Sequence, residues 1–135
     1  MDANQNACAR ACLEGADSGA MDFPQILATL AAAGFEGYAV DYRRERATYY
    51  LPSGEGLDLA THATPTSVAA AFDAAALRSA IREAQTGAAG YSYRGFCAKA
   101  KAAGCAGYLV SMPGRRVVYF GRTGETHVEH FPPGP

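Results

Sequence analysis

The chain repeats itself. Displaced by 70 residues without a gap, residues 22–58 align with 92–128 and carry the same residue at eleven positions. Beside Ala28/Ala98, Ala32/Ala102 and Ala33/Ala103 these include Gly34/Gly104, Gly37/Gly107, Tyr38/Tyr108, Val40/Val110, Arg46/Arg116, Tyr49/Tyr119, Gly54/Gly124 and Glu55/Glu125. Alanine is abundant and matches itself easily. The Gly, Tyr, Arg and Glu coincidences are harder to obtain by chance, and a shared offset is the signature of a duplicated structural unit.

Each copy reads as one helix followed by three strands. Asp22 and Ser92 stand where a side-chain oxygen can cap the free N–H groups of a first turn, and Asp22 with Gln25 has capping-box spacing. Apolar residues then recur at helical intervals (Phe23, Ile26, Leu27, Leu30; Tyr93, Phe96, Cys97, Ala100) up to Gly34 and Gly104, where a left-handed residue ends the helix. Beyond the glycines the period becomes two. Tyr38, Val40 and Tyr42, and in the second copy Tyr108, Val110 and Met112, open a strand. A polar turn precedes a second strand over 47–51 and 117–120, and a third covers roughly 56–62 and 126–131. There the copies diverge, because Leu57 and Leu59 align with His127 and Glu129; a bulge or a different exposure of the last strand would account for it.

The connector at 64–90 reads as helical. Val68 and Phe72 fall on one side of a helical wheel and Leu77 and Ile81 on nearly the opposite side, which predicts a short helix at about 66–71 and a second at 74–86 capped by Asp73. A further helix is expected at about 4–14, closed by Gly15. The whole, residues 1–135, is expected to form one α+β domain with copy one at about 22–62 and copy two at about 92–131. Its two three-stranded antiparallel sheets join edge to edge or face each other across a pseudo-twofold axis. Alanine supplies 29 of the 135 residues and tyrosine and phenylalanine 14, so the core leans on aromatics packed against alanine-rich helices.

Taken together, Phe96-Cys97, Ala103-Gly104, Tyr108-x-Val110, Arg116-x-Val118-Tyr119, Gly124-Glu125 and Glu129-x-Phe131-Pro132 resemble the C-terminal signature of a small bacterial family. Gln85-Thr86-Gly87 ahead of them fits it as well, as do Val40-Asp41-Tyr42 and Tyr49-Tyr50-Leu51 in the first copy. The family is the YdfO/YbcV-like proteins, domain-of-unknown-function family 1398, and the resemblance covers about residues 21–132. It implies a short protein of a kind often encoded in prophages and labelled a phage envelope protein. It brings no activity and no catalytic residue.

Charge narrows the function. Twelve basic residues against thirteen acidic ones leave a net charge of −1, unlike the strong positive field of a polybasic nucleic-acid or membrane-surface protein. No run approaches the ~18 apolar residues of a membrane span, and MDANQNACARACLEG lacks the basic and apolar regions of a signal peptide. Cys8, Cys12, Cys97 and Cys105 are too few and too irregularly spaced for a disulfide scaffold. A cytoplasmic location is therefore expected, with no metal and no cofactor.

Three groups of residues carry candidate chemistry. Arginine accounts for ten of the twelve basic residues, and Arg43, Arg44, Arg46 beside Asp41, with Arg115, Arg116 and Arg122, flank the two hairpins among tyrosines. Guanidinium forks grip phosphate or carboxylate, and aromatics stack bases. The alternative is structural, with Arg46–Glu55 and Arg116–Glu125 as cross-strand ion pairs. His127 and Glu129 share one strand face as a polar cluster, against the alternative of a solvated terminal strand. Cys97 follows a helix N-terminus, but its alignment with Leu27 favours core packing. No nucleophile motif or phosphate-binding loop is present. The leading expectation is a non-enzymatic module that binds a small anionic ligand or a protein partner, with a groove between the copies and homodimerisation open. The first alternative is an enzyme on a small anionic substrate, with Asp41, His127 or Glu129 moving protons. The second is weak nucleic-acid binding through the Arg/Tyr hairpins.

Overall fold

The computed structural model describes residues 1–132. Its elements run α1 (Ala3–Ser18), α2 (Phe23–Ala32), β1 (Gly37–Asp41), β2 (Arg46–Tyr50), β3 (Gly56–Ala60), α3 (Ala74–Thr86), α4 (Tyr93–Ala102), β4 (Cys105–Ser111), β5 (Arg116–Gly121) and β6 (Thr126–His130). The fold is α+β. Six antiparallel strands form one open sheet in the order β3-β2-β1-β4-β5-β6, so the two three-stranded groups join edge to edge through β1 and β4. In that junction Tyr38 pairs with Val110, Ala39 with Leu109 and Val40 with Tyr108.

The side chains of each strand alternate between a buried and an exposed face. Tyr38 and Val40 on β1, Ala47 and Tyr49 on β2, Tyr108 and Val110 on β4 and Val117 and Tyr119 on β5 are buried. With Ile26, Leu30, Leu77, Ile81, Phe96 and Ala100 from the helices they form one core. The opposite face carries Tyr50, Leu109 and Val128, all partly exposed.

Local signals act as the sequence requires. Asp22 accepts from the Gln25 amide at 2.9 Å while the Gln25 side chain accepts from the Asp22 amide, a complete capping box. Ser92 caps α4 through the Gly95 amide, and Asp73 caps α3, which ends at left-handed Gly87. Gly34 and Gly104 have φ of +95° and +85°.

Two expectations are corrected, and an alternative left open is decided. Residues 66–71 form no helix. A six-residue helix barely repays its nucleation cost, and the segment instead donates to the open end of α4, Ala69 N–H to the Lys101 carbonyl at 2.9 Å and Asp73 N–H to that of Ala103 at 2.7 Å. Orphan helical carbonyls are thus satisfied, and the connector is helical only over α3. The first helix does not stop at Gly15 but runs to Ser18, with Gly19 (φ +79°) as its left-handed cap. Gly15 is a packing glycine, because a Cβ there would lie 2.5 Å from the Met21 sulfur. Finally, β5–β6 pairs without a bulge, and Tyr119 meets His127 as Tyr49 meets Leu57. The bulge in the second half lies between Cys105 and Gly107, in β4.

Candidate functional site

Small helical side chains over a sheet of large aromatics leave space. A cleft of about 870 Å³ lies between the helices and the middle of the sheet. Its floor is Tyr38, Val40 and Tyr49 from β1 and β2 and Tyr108, Val117 and Tyr119 from β4 and β5. One wall comes from Cys12, Leu13 and Ala16 of α1 and the turn through Met21 to Phe23. The other comes from Ile81, Ala84 and Gln85 of α3 and from Tyr91, Ser92, Tyr93 and Phe96. Alanine at positions 16 and 84 is what keeps the two walls apart.

The floor is a connected aromatic surface. Tyr38 stacks on Tyr49 with ring centroids 5.1 Å apart, and Tyr108 lies 5.5 Å from Tyr119. The hydroxyls of Tyr93 and Tyr108 are 2.6 Å apart. Burial pushes the phenol pKa of Tyr38, Tyr93 and Tyr108 well above the usual range, so the floor is neutral and offers ring faces and hydroxyl groups. At the mouth Phe23 and Phe131 meet edge to face, 5.9 Å apart.

One end of the cleft is polar. Glu129 takes the inward position on β6 that Leu59 takes on β3. One of its oxygens accepts from Arg82 Nη1 at 2.8 Å and from the Gln85 amide at 3.4 Å. The other lies 2.5 Å from His127 Nε2. Burial works against ionisation of this carboxyl, but hydrogen bonds from Arg82 and His127, and their charges, outweigh it and hold it below the usual carboxylate range. The pair therefore belongs to a partly buried polar knot on the inner face of β6, while the other residues of that strand are exposed. Asp17, on the α1 wall, accepts two bonds from Arg94, at 2.9 and 3.0 Å. These bonds hold its carboxyl below the usual carboxylate range against a smaller opposing effect of burial, with the charges of His62 and Arg94 adding to the lowering.

The arginines lie elsewhere. Asp41 pairs with Gly107 at the start of β4, whereas Ser111 at its end pairs with Gly37, so the β1–β2 and β4–β5 turns sit at opposite ends of the sheet. Arg43 and Arg44 are in the first turn, where their amides donate to the Asp41 carboxylate at 3.0 and 3.1 Å. Arg115 and Arg116 are at the second. Arg115 reaches the Pro132 carbonyl and lies over the Phe131 ring, and Arg116 bonds the Gly114 carbonyl. Arg122 lies in the β5–β6 turn, at the end of the sheet that holds Asp41, and bonds the Val68 carbonyl. The expected Arg–Glu pairs are not the ones formed. Arg46 pairs with Asp58 at 3.1 Å, because Asp58 is its diagonal cross-strand neighbour while Glu55 sits in the next turn, where it meets the chain's amino terminus at 2.5 Å. The position equivalent to Asp58 in β6 is Val128, so Arg116 has no such partner.

The thiols are structural in their surroundings. Cys12, Cys97 and Cys105 are buried; burial, with Cys8 beside it, pushes Cys12 up to about 12. Tyr42 donates its hydroxyl to Cys97 at 3.6 Å. Among the described residues no group of three His, Cys, Asp or Glu side chains gathers to hold a metal ion, and no helix is long and apolar enough to cross a membrane.

The sequence reading missed the cleft floor, Arg82 and Gln85. The period-two tyrosines 38, 49, 108 and 119 carried a signal for the floor, since one strand phase brings all four to one face. For Arg82 and Gln85 a weaker signal existed, two polar residues on α3 flanking the apolar Ile81 and Ala84. No curated protein matches the chain. The model of a family described as protein of unknown function (DUF1398) matches residues 20–129, from α2 through most of β6, and the chain belongs to that family.

Proposed function

We propose that this protein is a small-molecule-binding module whose ligand occupies the aromatic-floored cleft. The observation that carries the reading is the cleft itself, about 870 Å³, within the size range of small-molecule sites and of their usual make-up, mostly apolar with a few placed polar groups. Glu129, Gln85 and Asp17 supply those groups. Among the described residues no nucleophile bonds the His127–Glu129 pair, which favours a binding reading over a catalytic one. The test uses prodan, a neutral naphthalene dye whose emission rises in apolar surroundings. The protein is expected to bind it at one site, and Ala84→Trp and Ala16→Trp, which fill the cleft from opposite walls, are each expected to abolish binding while keeping the native circular dichroism. Unchanged dye binding in both folded variants would overturn the proposal.

We also infer that the chain is an internal duplication about a pseudo-twofold axis. Support comes from the β1–β4 register, in which Tyr38 opposes Val110 and Val40 opposes Tyr108, the same pair of repeat positions in exchanged roles. Further support comes from Glu45 and Arg115, 70 residues apart, with φ of 53° and 50°. The cleft then lies over the junction of the two copies, where neither half alone would enclose it.

A further inference from the structure

We infer that the ligand class is an organic cation, an ammonium or amidinium group on an aromatic or otherwise apolar body; the inference rests on the cleft being a ligand site. The acidic residues that line it are Asp17, Asp22 and Glu129, and among the described residues the lining holds no lysine or arginine and, of basic side chains, His130 alone. The guanidinium groups that pair with two of these carboxylates are outside the lining, as are the imidazoles of His127 and His62 that also meet them. The Glu129 side chain is 14% exposed and the Asp17 side chain 15%, whereas those of Arg82 and Arg94 are 52% and 56% exposed. Water screens the guanidinium charges, and the carboxylates face the drier space, where a charge is felt more strongly. Asp22 engages the Gln25 amide through one oxygen, and among the described residues no side-chain cation pairs with it.

The aromatic surface has the same preference. A ring face is the negative pole of an aromatic quadrupole and attracts a cation held over it, most of all when water is displaced. Tyr38, Tyr49, Tyr108 and Tyr119 provide such faces, and Phe23 with Phe131 provides a second set at the mouth beside Asp22. Held neutral by burial, the phenols add no charge of their own. An anion entering here would meet carboxylates and ring faces, and the arginines that suggested an anionic ligand sit at the sheet ends and turns.

The experiment titrates the intact protein with three naphthalenes of one shape: (2-naphthylmethyl)trimethylammonium, 2-naphthalenemethanol and 2-naphthylmethanesulfonate. The cation is expected to bind at least about fivefold tighter than the alcohol and the sulfonate most weakly, with the cation's advantage falling in high salt. Asp22→Asn, which keeps a capping oxygen, is expected to reduce that advantage, with a smaller effect on the alcohol's affinity. Equal binding of cation and alcohol, or tightest binding of the sulfonate, would overturn the charge inference and leave the cleft as a site. Failure of all three to bind would overturn the cleft reading itself.

Discussion

Lys101 and Glu45 form an ion pair that ties α4 to the β1–β2 turn. The lysine is 2% exposed, its ammonium meets the Glu45 carboxylate, and it lies over the Tyr42 ring at 5.9 Å. Thr61 also donates to this carboxylate, and its backbone amide donates to the Glu45 carbonyl. A buried charge deprived of its partner is costly, about 3–5 kcal/mol. Glu45→Gln is therefore expected to destabilise the protein by roughly that amount in urea denaturation. The double variant with Lys101→Met should recover much of the loss, because it removes the stranded charge. Additive losses in the double variant would show that the pair is not coupled.

Gly34 and Gly104 hold the same left-handed turn but differ in surroundings. At Gly34 a Cβ would find only the Gln5 side chain, at 3.6 Å, whereas at Gly104 it would lie 1.9 Å from the Ala71 carbonyl oxygen. Gly34→Ala is expected to cost about 1–2 kcal/mol, the strain of a left-handed L-residue. Gly104→Ala should cost clearly more, since the 69–73 segment must move off α4. Equal losses in thermal denaturation would remove this account of the connector.

Asp17 and Glu129 both ionise more readily in the folded chain than in the unfolded one. The unfolded state then binds more protons over the interval between the two values, so each carboxylate contributes stability that is full above the ordinary carboxylate range and lost as pH falls through the folded value. The melting temperature is expected to drop on acidification below about pH 4.5, and the drop should be shallower in Arg94→Met, which already lacks the bonds that Asp17 accepts. A drop as steep in Arg94→Met as in the parent would contradict the assignment.

The two equivalent arginines should behave differently. Arg46→Met removes an exposed ion pair with Asp58 and is expected to cost about 0.2–1 kcal/mol. Arg116→Met removes only a bond to a neighbouring carbonyl and should leave stability within about 0.5 kcal/mol of the parent. A larger loss at Arg116 than at Arg46, in paired urea titrations, would count against the register described.

Much of this fold was legible in the sequence because its signals are local. Capping residues, the glycine after each helix and the switch from a period near four to a period of two fix where α2, α3, α4 and the strands lie. Segment 66–71 was misread because its hydrogen bonds go to the end of α4, a partner that no window of sequence contains. The arginine pairing failed for a related reason: Arg46 has Glu55 nine residues on and Asp58 twelve residues on, and only the β2–β3 register chooses between them. A groove between the copies was expected, and its materials, alanine-rich helices and period-two tyrosines, were legible, but its size and lining were not. A void depends on how far small side chains fail to fill the space above large ones, and that is a property of three dimensions.

The most direct test of the cleft is the position of a bound probe. With tyrosine rings carbon-labelled and prodan added, intermolecular nuclear Overhauser effects are expected from the dye to Tyr38, Tyr49, Tyr108 and Tyr119, and none to Tyr50 on the opposite face of the sheet. Contacts to Tyr50 without contacts to those four rings would contradict the account.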